Sequence, residues 1–277
     1  MLFVFLFFGL TNCKPLVSAY FAFFDDAYNS TMNVSKTIPW SMFDRIIVSF
    51  AILEKNANLT NQRTTDHSKI LHIISLYKKA RPNGEIFVSL YGEINTPFLY
   101  AANHSAIFSR SVLQYLKRYN INGIDLDWET VFINKYATSL VTLIKSCDQI
   151  FNNKYKITHA IWPYVHDPQT IGQLTNIVDE INIMSYGLGI KAIESLINQY
   201  HLEGFPYEKM ILGMETESDT ETKETIAGKI GLINKYNLSG IFVWRLDNDG
   251  IPVENNTNSG PPTFRTTKML YDVLHSL

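Results

Sequence analysis

Short runs rich in β-branched and aromatic residues alternate with helix-like patterns along most of the chain. We predict strands at residues 17–24, 45–53, 85–91, 122–129, 155–162, 179–186, 209–215 and 240–246. Between them apolar residues return every three or four positions, and we predict helices over residues 66–81, 104–119, 135–151, 190–202, 220–236 and 264–276. Strands separated by helices in this way pair in parallel and are joined by right-handed crossovers.

Eight predicted strands in a chain of 277 residues match an α/β fold of one kind, the closed (β/α)8 or TIM barrel. The competing architecture is an open, doubly wound sheet. That sheet is typically marked by a glycine-rich phosphate loop after the first strand, and the sequence has none there. No linker or low-complexity tract divides the chain, so we predict a single barrel domain over residues 14–277.

The first ten residues, MLFVFLFFGL, are almost entirely apolar. This run is too short to span a bilayer and has the length of a signal-peptide core, although no basic residue accompanies it. A buried apolar strand is the alternative. We predict a signal peptide at residues 1–13, a secreted, extracellular mature chain and no membrane attachment after cleavage. Sequons for N-glycosylation begin at Asn29, Asn33, Asn58, Asn103, Asn237 and Asn255.

Charge patterning limits the class of partner. The formal net charge is −2, and no run or stripe of Lys and Arg is present that would follow a phosphate backbone. We therefore expect a neutral or weakly charged partner and no nucleic acid. We also expect a monomer that needs neither a metal nor another cofactor.

The fourth predicted strand has acidic residues at every second position, Asp125, Asp127 and Glu129. Side chains of a strand alternate between its two faces, so these carboxyl groups share one face and the intervening apolar residues share the other. In a barrel the apolar face packs against the outer helices. The carboxyl groups then line the interior, with Glu129 nearest the carboxyl end of the strand, where barrel active sites lie.

Stacked carboxylates in a poorly solvated interior repel one another, so we expect them to share protons and at least one carboxyl to have a raised pKa. A raised pKa is what a general acid needs near neutral pH. A metal site or an ion-paired core cluster is the alternative. We disfavour it because the neighbouring strands supply neither a set of His ligands nor paired Arg residues.

Residues 122–129, NGIDLDWE, resemble the DxxDxDxE signature of glycoside hydrolase family 18, the chitinases and their relatives. Asp125, Asp127 and Glu129 match the signature, whereas Asn122 stands where the family usually has Asp. We expect Asn122 to lie deepest along the strand and to support hydrogen bonding beneath Asp125.

Other predicted strands are similar to the same family in the same order, so the resemblance covers about residues 17–275. Residues 89–92, SLYG, are similar to its SxGG pattern, with Tyr91 replacing the first glycine. Residues 179–187, DEINIMSYG, are similar to its sixth strand, with Gly187 replacing the usual Asp or Asn. Residues 240–249, GIFVWRLDND, closely resemble its eighth strand.

The resemblance implies a substrate-assisted, retaining glycosidase mechanism. Glu129 is then the general acid and base, and the substrate's own 2-acetamido group is the nucleophile. Asp127 orients that group, Asp125 shares a proton with Asp127, and Tyr186 donates its hydroxyl to the acetamido oxygen. The resemblance further implies substrate binding by Trp244, Met184, Tyr20, Ser89 and Gly92, with Trp244 as the floor beneath the reacting sugar.

Many members of the family insert a small α+β domain after the seventh strand. Here only about 25 residues separate Glu215 from Gly240, so we predict a barrel without that insertion and with a shallow, open groove. The expected function is endo-hydrolysis of β-1,4-linked N-acetylglucosamine polymers, with chitin or chito-oligosaccharides as partners. The alternatives are a non-catalytic chitin-binding lectin, an endo-β-N-acetylglucosaminidase acting on N-glycans, and, more distantly, an unrelated metal-dependent barrel enzyme.

Overall fold

The computed structural model describes residues 14–22, 38–61, 66–92, 94–217, 220–250 and 262–276. The predicted signal peptide, the end of the first predicted strand and the sequons at Asn29, Asn33 and Asn255 lie outside these ranges. Within them, no helix combines the length and the apolar character that crossing a membrane requires.

Nine strands form one sheet: β1 (Leu16–Ala22), β2 (Arg45–Leu53), β3 (Leu59–Asn61), β4 (Glu85–Gly92), β5 (Gly123–Trp128), β6 (Lys156–Ile161), β7 (Glu180–Ile183), β8 (Met210–Glu215) and β9 (Gly240–Trp244). All of them except β3 pair in parallel, and β1 pairs with both β2 and β9, which closes the barrel. The predicted (β/α)8 barrel is therefore confirmed. The short β3, which pairs antiparallel with β2, was not predicted.

The helices are α1 (Asp66–Ala80), α2 (Asn95–Asn103), α3 (Ser105–Tyr119), α4 (Ala137–Phe151), α5 (Pro168–Gly172), α6 (Ile190–Leu202), α7 (Lys223–Tyr236) and α8 (Arg265–Ser276). Each of the six predicted helices is found, whereas α2 and α5 were not predicted. Between β8 and β9 the described residues form only α7, so the barrel lacks an inserted domain there, as predicted.

Local signals in the sequence set the ends of several helices. Thr222 begins α7 with a capping box, in which its hydroxyl accepts the N–H of Thr225 and the Thr225 hydroxyl accepts the N–H of Thr222. Helices α3, α4 and α7 end at Asn120, Asn152 and Asn237, whose φ angles are 52°, 48° and 54°. Asn tolerates this left-handed conformation better than most residues, so each helix stops there and the chain turns toward the next strand.

The interior of the barrel is layered. At the amino ends of the strands, the buried Arg45 guanidinium pairs with Glu85 at 2.7 Å and Glu180 at 2.5 Å, and it lies 4.2 Å from the centre of the Phe87 ring. An apolar layer follows, made of Tyr20, Ile47, Phe87, Ile211 and Phe242. Side chains therefore fill the lower part of the interior. The acidic residues of β5 lie above this layer, toward the carboxyl ends of the strands.

Trp128 fixes which way the catalytic candidates on β5 point. Its indole faces away from the barrel interior, is 0% exposed, and stacks between the rings of Phe98 at 4.7 Å and Tyr136 at 5.8 Å. The indole N–H donates to the side-chain oxygen of Asn95 at 3.0 Å. Because neighbouring side chains of a strand alternate, packing Trp128 outward turns Asp127 inward.

Candidate active site

The acidic residues of β5 lie where the sequence predicted them. Asp125 and Asp127 are buried in the barrel interior, and the half-buried Glu129 follows directly after the strand. The Glu129 N–H donates to the carbonyl oxygen of Gly92 at 3.2 Å, which ties the acid's backbone to β4. The three carboxyl groups therefore rise in sequence order toward the open end of the barrel.

Asp125 is surrounded by donors from four other strands. One of its oxygens accepts the hydroxyls of Tyr20 at 2.9 Å and Ser89 at 2.8 Å. The other accepts the Thr158 hydroxyl at 2.7 Å and the Asn182 amide at 3.0 Å. Four donors occupy the accepting sites of both carboxyl oxygens, so these contacts fix the position and orientation of the Asp125 side chain. The sharing of a proton between Asp125 and Asp127 stays a prediction.

Asp127 differs from Asp125 in having few partners. Burial raises the pKa of Asp127 well above its usual range, and the neighbouring carboxyl groups of Glu129 and Asp125 raise it further. A hydrogen bond joins the side chains of Asp127 and Glu129, so a proton is shared by this pair. The second Asp127 oxygen, Oδ1, is buried and has no hydrogen-bond partner among the described residues. Such an orphaned acceptor is rare in proteins and marks a place where a ligand donor fits.

Tyr186 follows β7 and faces the same carboxyl groups. Burial raises the pKa of its hydroxyl, and the negative charges of Asp127 and Glu129 raise it further. The hydroxyl therefore stays protonated and can donate a hydrogen bond. The ring lies edge-on to Phe242, with 6.0 Å between ring centres.

Gly213 on β8 provides the space that Tyr186 occupies. A Cβ atom at this position would lie 2.8 Å from the Tyr186 ring, 2.6 Å from the Phe242 ring and 2.8 Å from the carbonyl oxygen of Ile183. We expect Gly213→Ala to lower the free energy of unfolding by about 1–3 kcal/mol, because the added methyl overpacks the site. Urea unfolding measures this change. Gly231→Ala on α7 is the control, because a Cβ there meets nothing within 4 Å; an equal loss in the control would contradict the overpacking.

A cavity of about 410 Å³ opens above these residues. Its walls are formed by Tyr20, Asp127, Glu129, Ala160, Trp162, Pro163, Tyr164, Met184, Tyr186, Leu188 and Trp244. Most of the predicted site residues are therefore brought together around one space. Asp125, Ser89 and Gly92 are not part of its wall.

Ser89 and Gly92, which the family resemblance places among the substrate-binding residues, act here through their neighbours. Ser89 is fully buried and donates to Asp125. Gly92 supplies the carbonyl oxygen for the Glu129 N–H, and a Cβ on it would lie 2.3 Å from the Phe98 ring. Both residues hold the carboxyl groups in place from beneath or beside the cavity.

Trp244, at the end of β9, lies across the barrel from the acid. In the closed sheet β9 is four strands away from β5 in either direction. The Trp244 indole stacks on the Phe50 ring, with 5.7 Å between ring centres. The Phe50 ring in turn lies 4.8 Å from the centre of the Tyr91 ring. Tyr20 packs edge-on against Trp244 at 5.4 Å. Tyr91 therefore uses the space that a family glycine would leave empty to extend an aromatic row beside the cavity.

The other two departures from the family pattern have local explanations. Asn122 is exposed, and its side-chain oxygen accepts the N–H of Ile86 at 2.9 Å. It therefore bridges β5 to β4 at the strand entry, and the expectation that it supports hydrogen bonding beneath Asp125 was wrong. Gly187 has a φ of 63°, a left-handed conformation that suits glycine, and a Cβ there would meet nothing within 4 Å.

Four residues of this site were not singled out from the sequence. Thr158 and Asn182 lie on the inward faces of β6 and β7, and the same two-residue alternation that identified the β5 acids could have found them. Trp162 and Tyr164 lie directly after β6; Trp162 continues the alternation of Thr158 within the predicted strand, whereas no periodicity distinguishes Tyr164. Within the described residues, no group of three or more His, Cys, Asp or Glu side chains is placed to hold a metal ion.

The raised pKa of Asp127 makes a prediction about stability and pH. A carboxyl group whose folded-state pKa is raised binds more protons in the folded than in the unfolded chain, so its contribution is lost as pH rises above its unfolded pKa of about 3.9. We therefore expect the free energy of unfolding of the wild type to fall relative to that of Asp127→Asn as the pH rises above about 4. Urea unfolding at stepped pH measures the difference, and parallel curves for the two proteins would contradict it.

This chain is similar in sequence to curated proteins and similar in fold to solved structures. An Endochitinase 1 from Metarhizium anisopliae is 24% identical over 191 residues, which is 56% of this chain and 45% of that protein. The chain thus spans less than half the length of this relative. A class V chitinase from Nicotiana tobaccum in complex with NAG4 has a TM-score of 0.76 at 14% identity, covering 94% of this chain and 99% of the other. A chitinase-like agglutinin from Robinia pseudoacacia has a TM-score of 0.71 at 15% identity, covering 93% and 99%.

The two solved structures are only 14% and 15% identical to this chain, so their similarity establishes that the chain shares their barrel fold. The sequence profile of the glycosyl hydrolases family 18 matches residues 19–220, which is well over half of the chain. That match includes β5 with its three carboxyl groups and Tyr186 beyond β7. The chain therefore belongs to glycosyl hydrolases family 18.

Proposed function

We propose that this protein is a chitinase that cleaves β-1,4-linked N-acetylglucosamine polymers within the chain by a substrate-assisted, retaining mechanism. The observation that carries the proposal is the orphaned Oδ1 of Asp127, which lies at a cavity also lined by Glu129 and Tyr186. An acetamido group placed there offers an N–H donor to Asp127 and a carbonyl acceptor to Tyr186. Membership of the family and the similarity to a Metarhizium endochitinase support the same substrate class.

In the first step Glu129 gives its proton to the glycosidic oxygen. The carbonyl oxygen of the substrate's 2-acetamido group attacks the anomeric carbon as the bond to the leaving sugar breaks, which forms a cyclic oxazolinium ion. Asp127 accepts the acetamido N–H and stabilises the positive charge, while Tyr186 orients the carbonyl oxygen through its hydroxyl. The enzyme supplies no covalent nucleophile in this scheme.

In the second step the Glu129 carboxylate takes a proton from a water molecule. The water oxygen bonds to the anomeric carbon, the bond to the acetamido oxygen breaks, and the acetamido group is restored. The carboxyl group of Glu129 is thereby returned to its starting form. Attack from opposite faces in the two steps retains the anomeric configuration.

The shape of the cavity supports cleavage inside a polymer. Among the described residues, the connection between β8 and β9 adds only α7, so this connection contributes no inserted wall beside the cavity. Trp244 lines the cavity across from Glu129 and offers an apolar face to the reacting sugar. A groove without an inserted wall there admits a polymer chain that continues past the cleaved bond.

We also propose that the protein acts as a secreted, extracellular monomer on chitin or chito-oligosaccharides. The apolar leader supports secretion. Of the six sequon asparagines, the three within the described residues, Asn58, Asn103 and Asn237, are exposed, as glycosylation requires. Treating the protein from a eukaryotic secretory host with a glycosidase and measuring its mass tests this part, and an unchanged mass would argue against glycosylation.

Hydrolysis of N-acetyl chitohexaose, followed by separation of the products with time, tests the proposed activity. We expect oligosaccharides of intermediate length to appear first. Products dominated by single N-acetylglucosamine units from chain ends would overturn endo-cleavage. Release of N-glycans from a glycoprotein, with chitohexaose left intact, would favour an endo-β-N-acetylglucosaminidase.

A chitin-binding lectin is the second candidate, because the agglutinin from Robinia pseudoacacia has the same fold. Retention of the acid at Glu129, hydrogen-bonded to Asp127 beside the cavity, favours the enzyme. Binding of the wild-type protein to chitin beads without release of soluble sugar over days would favour the lectin instead.

A further inference from the structure

Two large aromatic side chains of the cavity have no part in the proposed chemistry. Trp162 is 40% exposed and Tyr164 is 69% exposed, yet both line the cavity wall. Neighbouring exposed aromatic side chains at the wall of a cavity are typical of a ligand-binding site. The loop that carries them follows β6, next to the strand of the acid.

The register of the sheet places this loop at the height of Glu129. Leu126 of β5 pairs with His159 of β6, and Glu129 and Trp162 each follow three positions later. Trp162 therefore stands beside the acid at the rim of the barrel. Asp127, level with Ala160 by the same register, lies deeper.

The loop is held in place by two hydrogen bonds to Asn134. The Asn134 amide, from the segment after β5, donates to the carbonyl oxygen of Val165 at 2.7 Å, and its oxygen accepts the N–H of Asp167 at 3.0 Å. Tyr164 at the centre has a φ of 65°, which is rare for a bulky side chain and costs of order 1–3 kcal/mol. Strain of this kind persists where surrounding contacts over-determine it, and it is concentrated at ligand sites.

The proposed mechanism divides the substrate at Glu129. The sugar that reacts lies deep in the barrel, between Trp244 and Asp127. The glycosidic oxygen lies at Glu129, so the sugar that leaves must lie beyond it, at the height of the rim. The described cavity extends at this height along β6 and its loop, because Trp162, Pro163 and Tyr164 belong to its wall whereas Tyr91 and Gly92 do not.

Resting on the function proposed above, we propose that Trp162 and Tyr164 form a binding platform for the N-acetylglucosamine unit on the leaving-group side of Glu129. The apolar C–H faces of a pyranose ring pack on flat aromatic side chains, which matches the exposed rings. Asn134 is a positioning residue that holds the loop in its strained form. Because of this platform, the enzyme requires the leaving group beyond the cleaved bond to be a sugar.

Two substrates separate this platform from the rest of the site. N-acetyl chitopentaose places sugars on both sides of Glu129, whereas the oxazoline of chitobiose has no leaving sugar and needs only the attack of water. We expect Trp162→Ala and Tyr164→Ala each to lower kcat/KM for chitopentaose by about tenfold and to leave oxazoline hydrolysis within about twofold of wild type. Asn134→Ala is expected to give a smaller loss of the same kind.

Tyr271→Ala is the matched control, because Tyr271 is an exposed aromatic residue on α8 that does not line the cavity. Equal losses with both substrates, or no loss with chitopentaose, would overturn the platform. If the wild type hydrolyses neither substrate, the proposed function fails, and calorimetric titration with chitotetraose then tests the platform alone. In that case a loss of affinity of about tenfold in Trp162→Ala supports it, whereas unchanged affinity or no binding by the wild type overturns it.

Discussion

Replacing Glu129 with Gln is expected to lower kcat for a fluorogenic chito-oligosaccharide by about 10²–10⁴-fold, the range that a positioned general acid contributes. Gln is nearly the same size as Glu and keeps the backbone bond from residue 129 to Gly92, but its amide cannot deliver a proton to the glycosidic oxygen. The substrate's affinity should change much less than kcat, because the sugar contacts proposed for Trp244 and Tyr186 do not involve the replaced group. Initial rates over a range of substrate concentrations measure both quantities.

Glu208→Gln is the control for this substitution, because Glu208 is an exposed carboxylate outside the cavity. It should retain the wild-type rate. Circular dichroism of both variants checks that the barrel is intact. Activity of Glu129→Gln within a few-fold of the wild type would rule out Glu129 as the acid and with it the proposed mechanism.

Asp127→Asn is expected to lower kcat by about 10²–10³-fold, which is typical of losing one preorganised group that stabilises transition-state charge. Asn removes the proton shared with Glu129 and cannot become negative beside an oxazolinium ion. A thiazoline analogue of the cyclised intermediate gives a second readout. We expect it to bind the variant at least about tenfold more weakly than the wild type.

Asp272→Asn serves as the control here, because Asp272 lies on the surface of α8 and its exposed ion pair with Lys223 contributes little. Equal binding of the thiazoline by the wild type and Asp127→Asn would show that Asp127 does not contact the acetamido group. A fall in kcat with unchanged thiazoline binding would leave Asp127 acting only through Glu129.

The alternation of residues in β5 was enough to predict the direction of its side chains. It placed Asp125 and Asp127 on one face and Trp128 on the other, and packing of Trp128 between two outer aromatic rings agrees with this. It also predicted a raised pKa within the ladder, which Asp127 has. These features depend on one strand and on the general geometry of barrels, so a single sequence contains them.

The hydrogen-bond partners of the carboxyl groups could not be predicted from β5 alone. The donors to Asp125 are Tyr20, Ser89, Thr158 and Asn182, which come from four other strands. Their meeting point is set by the register of the closed sheet, which sequence periodicity does not determine. Asp127 receives no comparable set of donors and is left to share a proton with its neighbour.

The loop residues were missed for a different reason. Trp162 ends the predicted strand over residues 155–162 but was not singled out there, whereas Tyr164 belongs to no repeating pattern of apolar positions. Their exposure depends on the left-handed turn at Tyr164 and on the Asn134 contacts, both of which arise only once β5 and β6 are side by side. Helix α2 lies directly before α3, and its residues were predicted to be part of the connection between β4 and α3.

The outward packing of Trp128 also divides the protein's fluorescence into two parts. Of the four tryptophans, Trp128 and Trp40 are buried away from solvent, whereas Trp162 and Trp244 line the cavity. Iodide in solution should quench emission from the cavity pair and leave that of the buried pair. Ligand binding can then be followed through the quenchable emission, while the shielded emission of Trp128 records whether the strand that carries the acid remains seated in the barrel.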